Sequence, residues 1–457
     1  MFHFFIKDKK YYQVLLSLAI PAAAVNLISF AVTLGDSLML GKLGETAMSA
    51  ANLANQLWFM VMIVDFGTIS GSMVFASQYY GKGDFYSFKR IVSIMLYISA
   101  AISIIASCIA LFIPEIFMSW YTKDEEVIRL GAQYLRWVGI CYPFYAITNA
   151  FVSVLRSAHI TRIAIIIYLI SLVVNLTGNY IFIFGNFGAP RMEVAGAALA
   201  TALARISEFV TLLVFLIFFE RKICYRISDL FVPMGKYIKA FVVTSLPVVF
   251  NETMWGFGVT CISMVIGHIS TDFVAANSIA HIAWQAVYAF VSGLGNATAV
   301  MIGNAVGSGE PKEKIMNKAK TMIVIAAGTG IACGLIMIAT RSLLLSFYEI
   351  TENTRNIALG LIAVYAFILV FEAISLHLIV GILRGGGDTK YAAFLDVTFL
   401  WVISLPVGLF VGFVLKAEPP IVYASLKIDV LIKAALGIRR MLSEKWIHDV
   451  TISSSGE

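Results

Sequence analysis

Six carboxylates lie inside the better-defined apolar segments of this chain. They are Asp36, Asp65, Glu208, Glu252, Glu372 and Asp396. A charged side chain at the centre of a membrane helix costs roughly 2.5–3.5 kcal/mol on insertion scales, so it needs a function or a partner. A desolvated carboxylate can take up and release a proton near neutral pH, and its ionised form can hold Na⁺ or attract an organic cation. These residues therefore point to ion binding or proton transfer within a membrane.

Glu252 has the most informative surroundings of the six. It follows Pro247 by five residues, and proline frees a backbone carbonyl and can bend a helix, which opens polar space beside it. Trp255 lies three residues further on and is placed to line such a space, where an aromatic ring would suit a cationic substrate. We predict an ion-coupling role for Glu252; the alternative is a glutamate that is hydrogen-bonded for packing alone.

The other polar residues in apolar segments have simpler explanations. Arg205 and Glu208 stand three apart on one helix and are expected to neutralise each other. Asp65 ranks lower than Glu252, and Asp396 is expected to pair with a basic residue of the bundle. His281 and His377 are expected to be structural.

Several chemistries are not indicated by any motif. The cysteines show no CxxC or Cys/His spacing, so we expect no disulfide framework and no structural metal. The repeated GxG follows no strand and has no Lys-Ser/Thr partner, so it is not a nucleotide loop. We expect no enzymatic activity, no catalytic residue and no cofactor. A membrane-embedded enzyme or a receptor stays open as an alternative until the protein is shown to move a solute.

The composition indicates an integral membrane protein. Hydrophobic residues make up 60% and charged residues 13% of the 457 positions, whereas a soluble domain has about a quarter charged residues. The net charge of +6 is spread over short connections between apolar runs, which argues against nucleic acid as a partner. The expected partners are membrane lipid and small molecules, with no obligatory protein partner evident.

Twelve apolar runs are long enough to span a bilayer, which needs about 20 residues. They lie near 11–36, 50–78, 91–120, 131–155, 163–187, 194–219, 240–266, 276–304, 321–345, 356–383, 391–415 and 419–440. Their uniformly apolar character predicts helices, because barrel strands would alternate. The first run is too long for a signal peptide and is read as a retained span.

The sequence contains an internal repeat. Six residues recur 226 positions later without a gap: Pro21, Gly41, Trp58, Gly67, Gly81 and Gly83 match Pro247, Gly267, Trp284, Gly293, Gly307 and Gly309. Six spans in each copy predict parallel repeats, related by an axis along the membrane normal. We predict lobes at 1–219 and 240–457 joined by a cytoplasmic linker at 220–239. Asn26 is the repeat equivalent of Glu252, so only the second copy keeps the charge.

Several segments together resemble the multidrug and toxic compound extrusion (MATE) family of cation-coupled efflux transporters. They are Asp36–Gly44 (DSLMLGKLG) with Ala50–Ala54 (AANLA), Gln78–Asp84 (QYYGKGD) with Gly303–Glu310 (GNAVGSGE), Leu383–Lys390 (LRGGGDTK), and Gly196–Thr201 (GAALAT). Each segment alone is weakly specific, but their order within two six-span halves is highly specific. The resemblance covers about residues 10–415.

The resemblance implies a fold and a set of site residues. It implies an inner-membrane antiporter of twelve helices, whose two lobes enclose a central cavity and exchange H⁺ or Na⁺ for amphipathic, cationic xenobiotic compounds. Asp36 would bind the coupling cation in the N-terminal half. Its partners would be Asn175, Asn179 and Thr201, although the family often has an aspartate where this chain has Asn179. Glu252 and Glu372 would be the acidic residues of the C-terminal half.

One alternative belongs to the same broad superfamily. A lipid-linked glycan flippase would have a similar fold, but such proteins often carry fourteen spans and a basic cavity that binds pyrophosphate. The charges inside the spans of this chain are mainly acidic, which disfavours that function.

The distribution of basic residues predicts the orientation. With the N-terminus inside, 23 lysines and arginines are cytoplasmic and 8 are external, in agreement with the positive-inside rule. In a cysteine-free background, Lys222→Cys should therefore resist a membrane-impermeant maleimide in intact cells, while Lys123→Cys should react. Labelling of Lys222→Cys from outside would reverse the orientation.

Overall fold

The computed structural model describes residues 5–452, and within this range all regular structure is helical except for one isolated bridge between Gly387 and Ile447. The prediction of an all-α membrane protein is confirmed. The first half contains α1 (Lys9–Gly41), α2 (Glu45–Lys82), α3 (Phe85–Phe112), α4 (Pro114–Ser119), α5 (Glu125–Gly139), α6 (Tyr142–Ser157), α7 (Arg162–Phe182) and α8 (Glu193–Phe218).

The second half begins with five long helices and ends with two short ones. It contains α9 (Gly235–Ile269), α10 (Thr271–Gly307), α11 (Lys312–Leu345), α12 (Glu352–Arg384), α13 (Thr389–Val414), α14 (Pro419–Leu426) and α15 (Asp429–Leu442). Among the described residues, ten helices are long and apolar enough to cross a membrane, and the pair α5–α6 makes an eleventh span if it is counted as one.

Three predicted spans are interrupted. The run at 131–155 is divided between α5 and α6, whose axes differ by 50°. The run at 91–120 ends early because Pro114 starts the separate helix α4, and proline cannot continue a preceding helix. The run at 419–440 forms two short helices, α14 and α15, with a break next to Lys427.

Two of the later helices contain wide π-helical turns. In α13 a turn at Leu400–Ser404 lies immediately before Pro406. Proline has no N–H to give to the helix and its ring crowds the preceding turn, so the helix widens there. The end of α12 is also π-helical, from His377 to Arg384, and this stretch places the Arg384 side chain in the interior.

By its internal contacts, the described chain divides into two compact units. Unit 1 comprises the residues up to Ala23, Met73–Asp84 and the chain from Lys239 onward. Unit 2 comprises Ala24–Ser72 and Phe85–Ile238. The start of α1 and the end of α2 therefore group with the second half of the sequence. The lobe boundaries at 219 and 239 follow from the repeat and stay a prediction.

Equivalent positions of the repeat contact each other inside unit 1. A Cβ on Gly81 would overlap the backbone of Asn304, and a Cβ on Gly307 would overlap the backbone of Gln78. Gln78 and Asn304 are separated by the same 226 residues as the two glycines. Such a reciprocal contact is the signature of a two-fold axis. The ends of α2 and α10 are thus related by a local pseudo-two-fold axis, as the repeat predicted.

The same glycine motifs turn the chain into the next helix. Gly83 and Gly309 follow the ends of α2 and α10 with φ values of 75° and 71°. This left-handed conformation is strained for residues with a Cβ and is common just after a helix. Both repeats therefore use a glycine in the left-handed conformation to connect α2 to α3 and α10 to α11.

The C-terminal segment is packed against this junction. The Trp446 side chain is fully buried against Gly386 and donates a hydrogen bond to the Met441 carbonyl at 2.7 Å. Gln78 donates to the His448 carbonyl at 3.0 Å and accepts from the Val450 amide at 2.8 Å. The segment therefore holds the end of α2 within unit 1 through hydrogen bonds between its backbone and the Gln78 side chain.

The connection between α8 and α9 packs on the start of α3 in unit 2. Asp229 forms an ion pair with Lys89 at 3.0 Å, and the Lys89 ammonium donates to the Cys224 carbonyl at 2.6 Å. Ser93 and Tyr225 share a hydrogen bond of 2.7 Å. These contacts show that most of the segment predicted as a linker is ordered on α3.

The close approach of α2 and α10 can be tested with one methyl group. Gly307→Ala should destabilise the protein by about 1–3 kcal/mol, because overpacking against backbone cannot be relieved by a rotamer change. The measurement is thermal unfolding of the purified protein in detergent, followed by tryptophan fluorescence.

Gly328→Ala in α11 is the matched control, because nothing lies within 4 Å of its added Cβ. Because alanine loses less conformational entropy than glycine on folding, Gly328→Ala should leave the stability unchanged or raise it by about 0.5–1 kcal/mol. Equal unfolding temperatures for Gly307→Ala and Gly328→Ala would contradict the close packing.

Candidate ion-binding sites

Unit 2 brings together all four residues expected around its cation site. Asn179 donates to the Asp36 carboxylate at 2.5 Å and to the Asn175 side-chain oxygen at 3.3 Å. Asn175 in turn donates to the Thr201 hydroxyl at 3.5 Å, at the long limit for a hydrogen bond. Asp36 comes from α1, the two asparagines from α7 and Thr201 from α8. Three helices therefore meet at one polar cluster.

The spacing and packing of α7 and α8 explain this geometry. Asn175 and Asn179 are four residues apart, so they share one face of α7, and both are fully buried. Gly178 lies so close to Ala200 that an added Cβ would clash, and Gly196 lies equally close to the backbone of Phe182. Small residues thus let the two helices approach closely, as they do in other membrane bundles.

The Asp36 cluster has the donor set of a monovalent cation site. It offers one carboxylate, two amide oxygens and one hydroxyl, and hard cations prefer such oxygen ligands. The side-chain oxygen of Asn179 has no hydrogen-bond partner in the described part of the chain. Asn179 cannot ionise, but its amide still serves the cluster by donating to Asp36. A single negative charge there would be balanced by one proton or one Na⁺.

Arg205 and Glu208 form the pair that their spacing predicted. Their ion pair on α8 is 2.6 Å long, and Glu208 is fully buried. The Arg205 guanidinium also lies over the rings of Trp58 and Tyr145, at 5.6 and 5.0 Å. The predicted mutual neutralisation is confirmed, and the cation–π contacts with the two rings help to hold the arginine in place.

In unit 1, Glu252 is not the isolated carboxylate that its apolar segment suggested. It forms an ion pair with Arg384 at 2.5 Å, and the two side chains are 12% and 3% exposed. Glu252 comes from α9 after Pro247, and Arg384 comes from the π-helical end of α12. The sequence around Glu252 does not predict this partner, because Arg384 meets Glu252 from the widened end of another helix.

A second group of charges lies next to this pair, and Asp396 of that group interacts electrostatically with Arg384, so that the two form one buried network. Lys433 on α15 bridges Asp396 at 2.6 Å and Asp429 at 2.5 Å. The expectation that Asp396 pairs with a basic residue is therefore confirmed. Asp429 also accepts a hydrogen bond from the Ser404 hydroxyl at 2.6 Å, beside the π-helical turn of α13.

The network has one more negative than positive group. Glu252, Asp396 and Asp429 carry three formal negative charges, and Arg384 and Lys433 carry two positive ones. An interior with low dielectric penalises this imbalance strongly. One bound proton or one monovalent cation would make the network neutral.

Glu372 occupies a separate position in unit 1. It accepts a hydrogen bond from the Trp284 indole at 2.8 Å and lies 3.6 Å from the Lys427 ammonium. Trp284 is stacked on Tyr288 with ring centroids 4.3 Å apart. The structure thus links Glu372 to aromatic groups and not to the ion pair of Glu252.

Two of the remaining candidates have simple surroundings. The buried His377 bonds to the Ala373 carbonyl of its own helix at 2.8 Å, as expected for a structural histidine. Trp255 is 42% exposed on unit 1, and its role as a cavity residue stays a prediction.

The sequence reading missed the cations of unit 1. The distribution of basic residues assigns Arg384 and Lys433 to the cytoplasmic side, but both are buried and paired. The ion pair of Lys433 could have been predicted in part, since Lys433 follows Asp429 by four residues on one helix face. The ion pair of Arg384 could not, because its position depends on the π-helical turn. Without these two residues the cytoplasmic excess of basic residues is still more than twofold.

Comparison with known proteins gives a consistent result. A family model described as MatE matches residues 21–181 and again 247–410, so the two halves match the same model. The multidrug resistance protein PmpM of Pseudomonas aeruginosa is 26% identical over 407 residues, which cover 87% of this chain and 83% of that protein. The probable multidrug resistance protein NorM of Mesorhizobium japonicum is 26% identical over 441 residues, covering 93% and 92%.

Solved structures share the fold at low identity. A mutant of the Vibrio cholerae MATE transporter VcmN superposes with a TM-score of 0.85 at 15% identity, covering 96% of this chain and 98% of that one. Because the family model matches both halves and well over half of the residues, this chain belongs to the MatE family.

Proposed function

We propose that this multi-pass membrane transporter is a secondary antiporter. It exports amphipathic, cationic compounds across the inner membrane in exchange for H⁺ or Na⁺, with both termini in the cytoplasm. The observation that carries the proposal is the buried network around Glu252 and Arg384, whose three acids outnumber its two bases. The net charge of this network changes from negative to neutral when one proton or one Na⁺ binds.

Coupling requires that ion and substrate prefer different states of the transporter. In unit 1, binding of one cation would neutralise the excess negative charge. The free energy of the Glu252–Arg384 ion pair would then change as well. In unit 2, Asp36 would respond to the same ions through its asparagine partners. Glu372, beside the stacked Trp284 and Tyr288 rings, is suited to hold an aromatic or cationic substrate.

The relatives support export of small molecules. The printed names of PmpM and NorM both describe multidrug resistance proteins, and we extend that activity to this chain. A glycan flippase would need basic groups available for pyrophosphate. Arg384 and Lys433, which are buried, and Arg205, which is partly buried, all form ion pairs with carboxylates, which disfavours that alternative.

The proposal is tested in proteoliposomes that contain the purified protein. A pH gradient and a sodium gradient are imposed separately, and transport of a fluorescent organic cation is recorded. Counter-transport driven by at least one gradient, and abolished when that gradient is collapsed, is the expected result. Absence of transport with both gradients would reject the antiporter function.

The role of Glu252 predicts different effects for single and double variants. Glu252→Gln should abolish gradient-driven transport, because glutamine cannot change its charge, while the protein should stay folded, since Asp396 and Asp429 still balance Arg384 and Lys433. The double variant Glu252→Gln, Arg384→Gln should also be inactive and should be less stable than Glu252→Gln alone, since Asp396 and Asp429 then face Lys433 as their only base among these five groups. Unfolding temperature and transport rate are measured on the same preparations.

Glu313→Gln, an exposed carboxylate at the start of α11, is the matched control and should behave like the wild type in both assays. Full gradient-driven transport by a well-folded double variant would remove Glu252 from the coupling mechanism. Coupling would then be sought at Asp36 and Glu372.

A further inference from the structure

Asp65 is a buried carboxylate that the sites described above do not use. It lies near the middle of α2 in unit 2 with 1% exposure. Neither of its carboxylate oxygens has a hydrogen-bond partner in the described part of the chain. Buried polar groups nearly always have partners, and an exception commonly marks a place where an ion, a proton or a water binds. The position of Asp65 therefore needs an explanation.

Oxygen-bearing side chains from other helices face this carboxylate. Ser99 on α3 and Asn149 on α6 interact with the Asp65 carboxylate. The Ser99 hydroxyl is itself fully buried, and neither it nor the carboxylate forms a hydrogen bond of standard geometry within the described residues. Two buried polar groups on different helices thus interact without closing a hydrogen bond, and a small ligand between them would satisfy both.

The face of α2 that carries Asp65 is polar over two turns. Thr68 and Ser72 follow it at three and seven residues, so the three side chains lie along one face of the helix. Both hydroxyls are buried and donate to carbonyls of their own helix, at 2.9 and 2.6 Å. Their lone pairs remain available as acceptors, so they add to an oxygen-rich strip inside unit 2.

The charged and titratable groups near Asp65 do not neutralise it. Tyr145 on α6 and Tyr168 on α7 interact with it electrostatically, and neither is a cation. Arg205 on α8 is paired with Glu208 at 2.6 Å, and Arg156 on α6 interacts with Tyr168. Neither cation forms an ion pair with Asp65 in the described part of the chain.

We propose that Asp65, together with the Ser99 hydroxyl and the Asn149 side chain, forms a second site in unit 2 for a monovalent cation, either H⁺ or Na⁺. Carboxylate, hydroxyl and amide oxygens are the ligands that hard cations prefer, and a proton on Asp65 would equally satisfy the charge. The site is distinct from the Asp36 cluster, which has its own amide partners on α7. It rests on the proposed function, since it adds a second ion position to an ion-coupled transporter.

The test measures ion binding by the full-length protein in detergent, without transport. Equilibrium binding of radioactive sodium counts bound Na⁺, and the infrared carbonyl band of protonated carboxylic acids reports bound H⁺. The variants are Asp65→Asn, Asp36→Asn and their double, with Glu313→Gln as the control. Thermal unfolding verifies that each variant is folded.

For a sodium site, Asp65→Asn should bind one Na⁺ fewer than the wild type, and the double variant one fewer than Asp36→Asn. For a proton site, sodium binding should be unchanged, and Asp65→Asn should lack one component of the carboxylic acid band that Asp36→Asn keeps. If Asp65→Asn does not fold, Asp65→Leu supplies the same readouts, because it removes the carboxylate without adding an unsatisfied amide. Unchanged sodium binding together with an unchanged carbonyl band would overturn the proposal.

These outcomes are independent of the transport assay. If the Asp65 signal is present but no gradient drives transport, the antiporter function fails and the ion site stands. If transport is gradient-driven but both Asp65 signals are missing, the function stands and the second site is rejected.

Discussion

The structure depends on one constraint: the interior of a membrane protein offers its charges no water, so each charge must be matched within the fold. Transfer of an unpaired ion into such a medium is far more costly than the few kcal/mol by which proteins are stable. The consequence is visible in unit 1, where Arg384 meets Glu252 and Lys433 meets both Asp396 and Asp429. It is visible in unit 2, where Arg205 meets Glu208.

Some of the buried acidic groups are not fully balanced by basic groups, and this imbalance lets them respond to a bound cation. The unit 1 network lacks one positive charge, and Asp36 accepts its hydrogen bond from the neutral amide of Asn179. In water such small imbalances would be screened, but a desolvated network responds strongly to a single proton or Na⁺. The same constraint that forces pairing therefore also creates positions where a small cation changes the stability of the local structure. This is the property that ion-coupled transport requires.

Backbone packing positions these charges. Glycines at 178 and 196 let α7 and α8 approach closely, which places the asparagine pair near Asp36. Glycines at 81 and 307 let α2 and α10 touch at equivalent positions, with the C-terminal segment packed beside them. Proline has a different effect, because it interrupts the backbone hydrogen bonds of α13 next to Ser404. Small residues and prolines, more than the large apolar ones, thus decide where polar groups meet.

The sequence by itself determined the membrane class, the helical fold, the repeat and most of the acidic candidates. Apolar run length, the spacing of 226 residues and the cost of a buried charge are local or periodic signals, so they can be read without coordinates. The Asp36 cluster was expected only through the family resemblance, and its hydrogen bonds agree with it. Tertiary structure decided which charges are partners. Arg384 reaches Glu252 through a π-helical turn, Arg205 pairs with Glu208, and Asp65 forms no ion pair in the described part of the chain. Pairing of this kind depends on distances between helices far apart in the chain, and no spacing along a single segment encodes them.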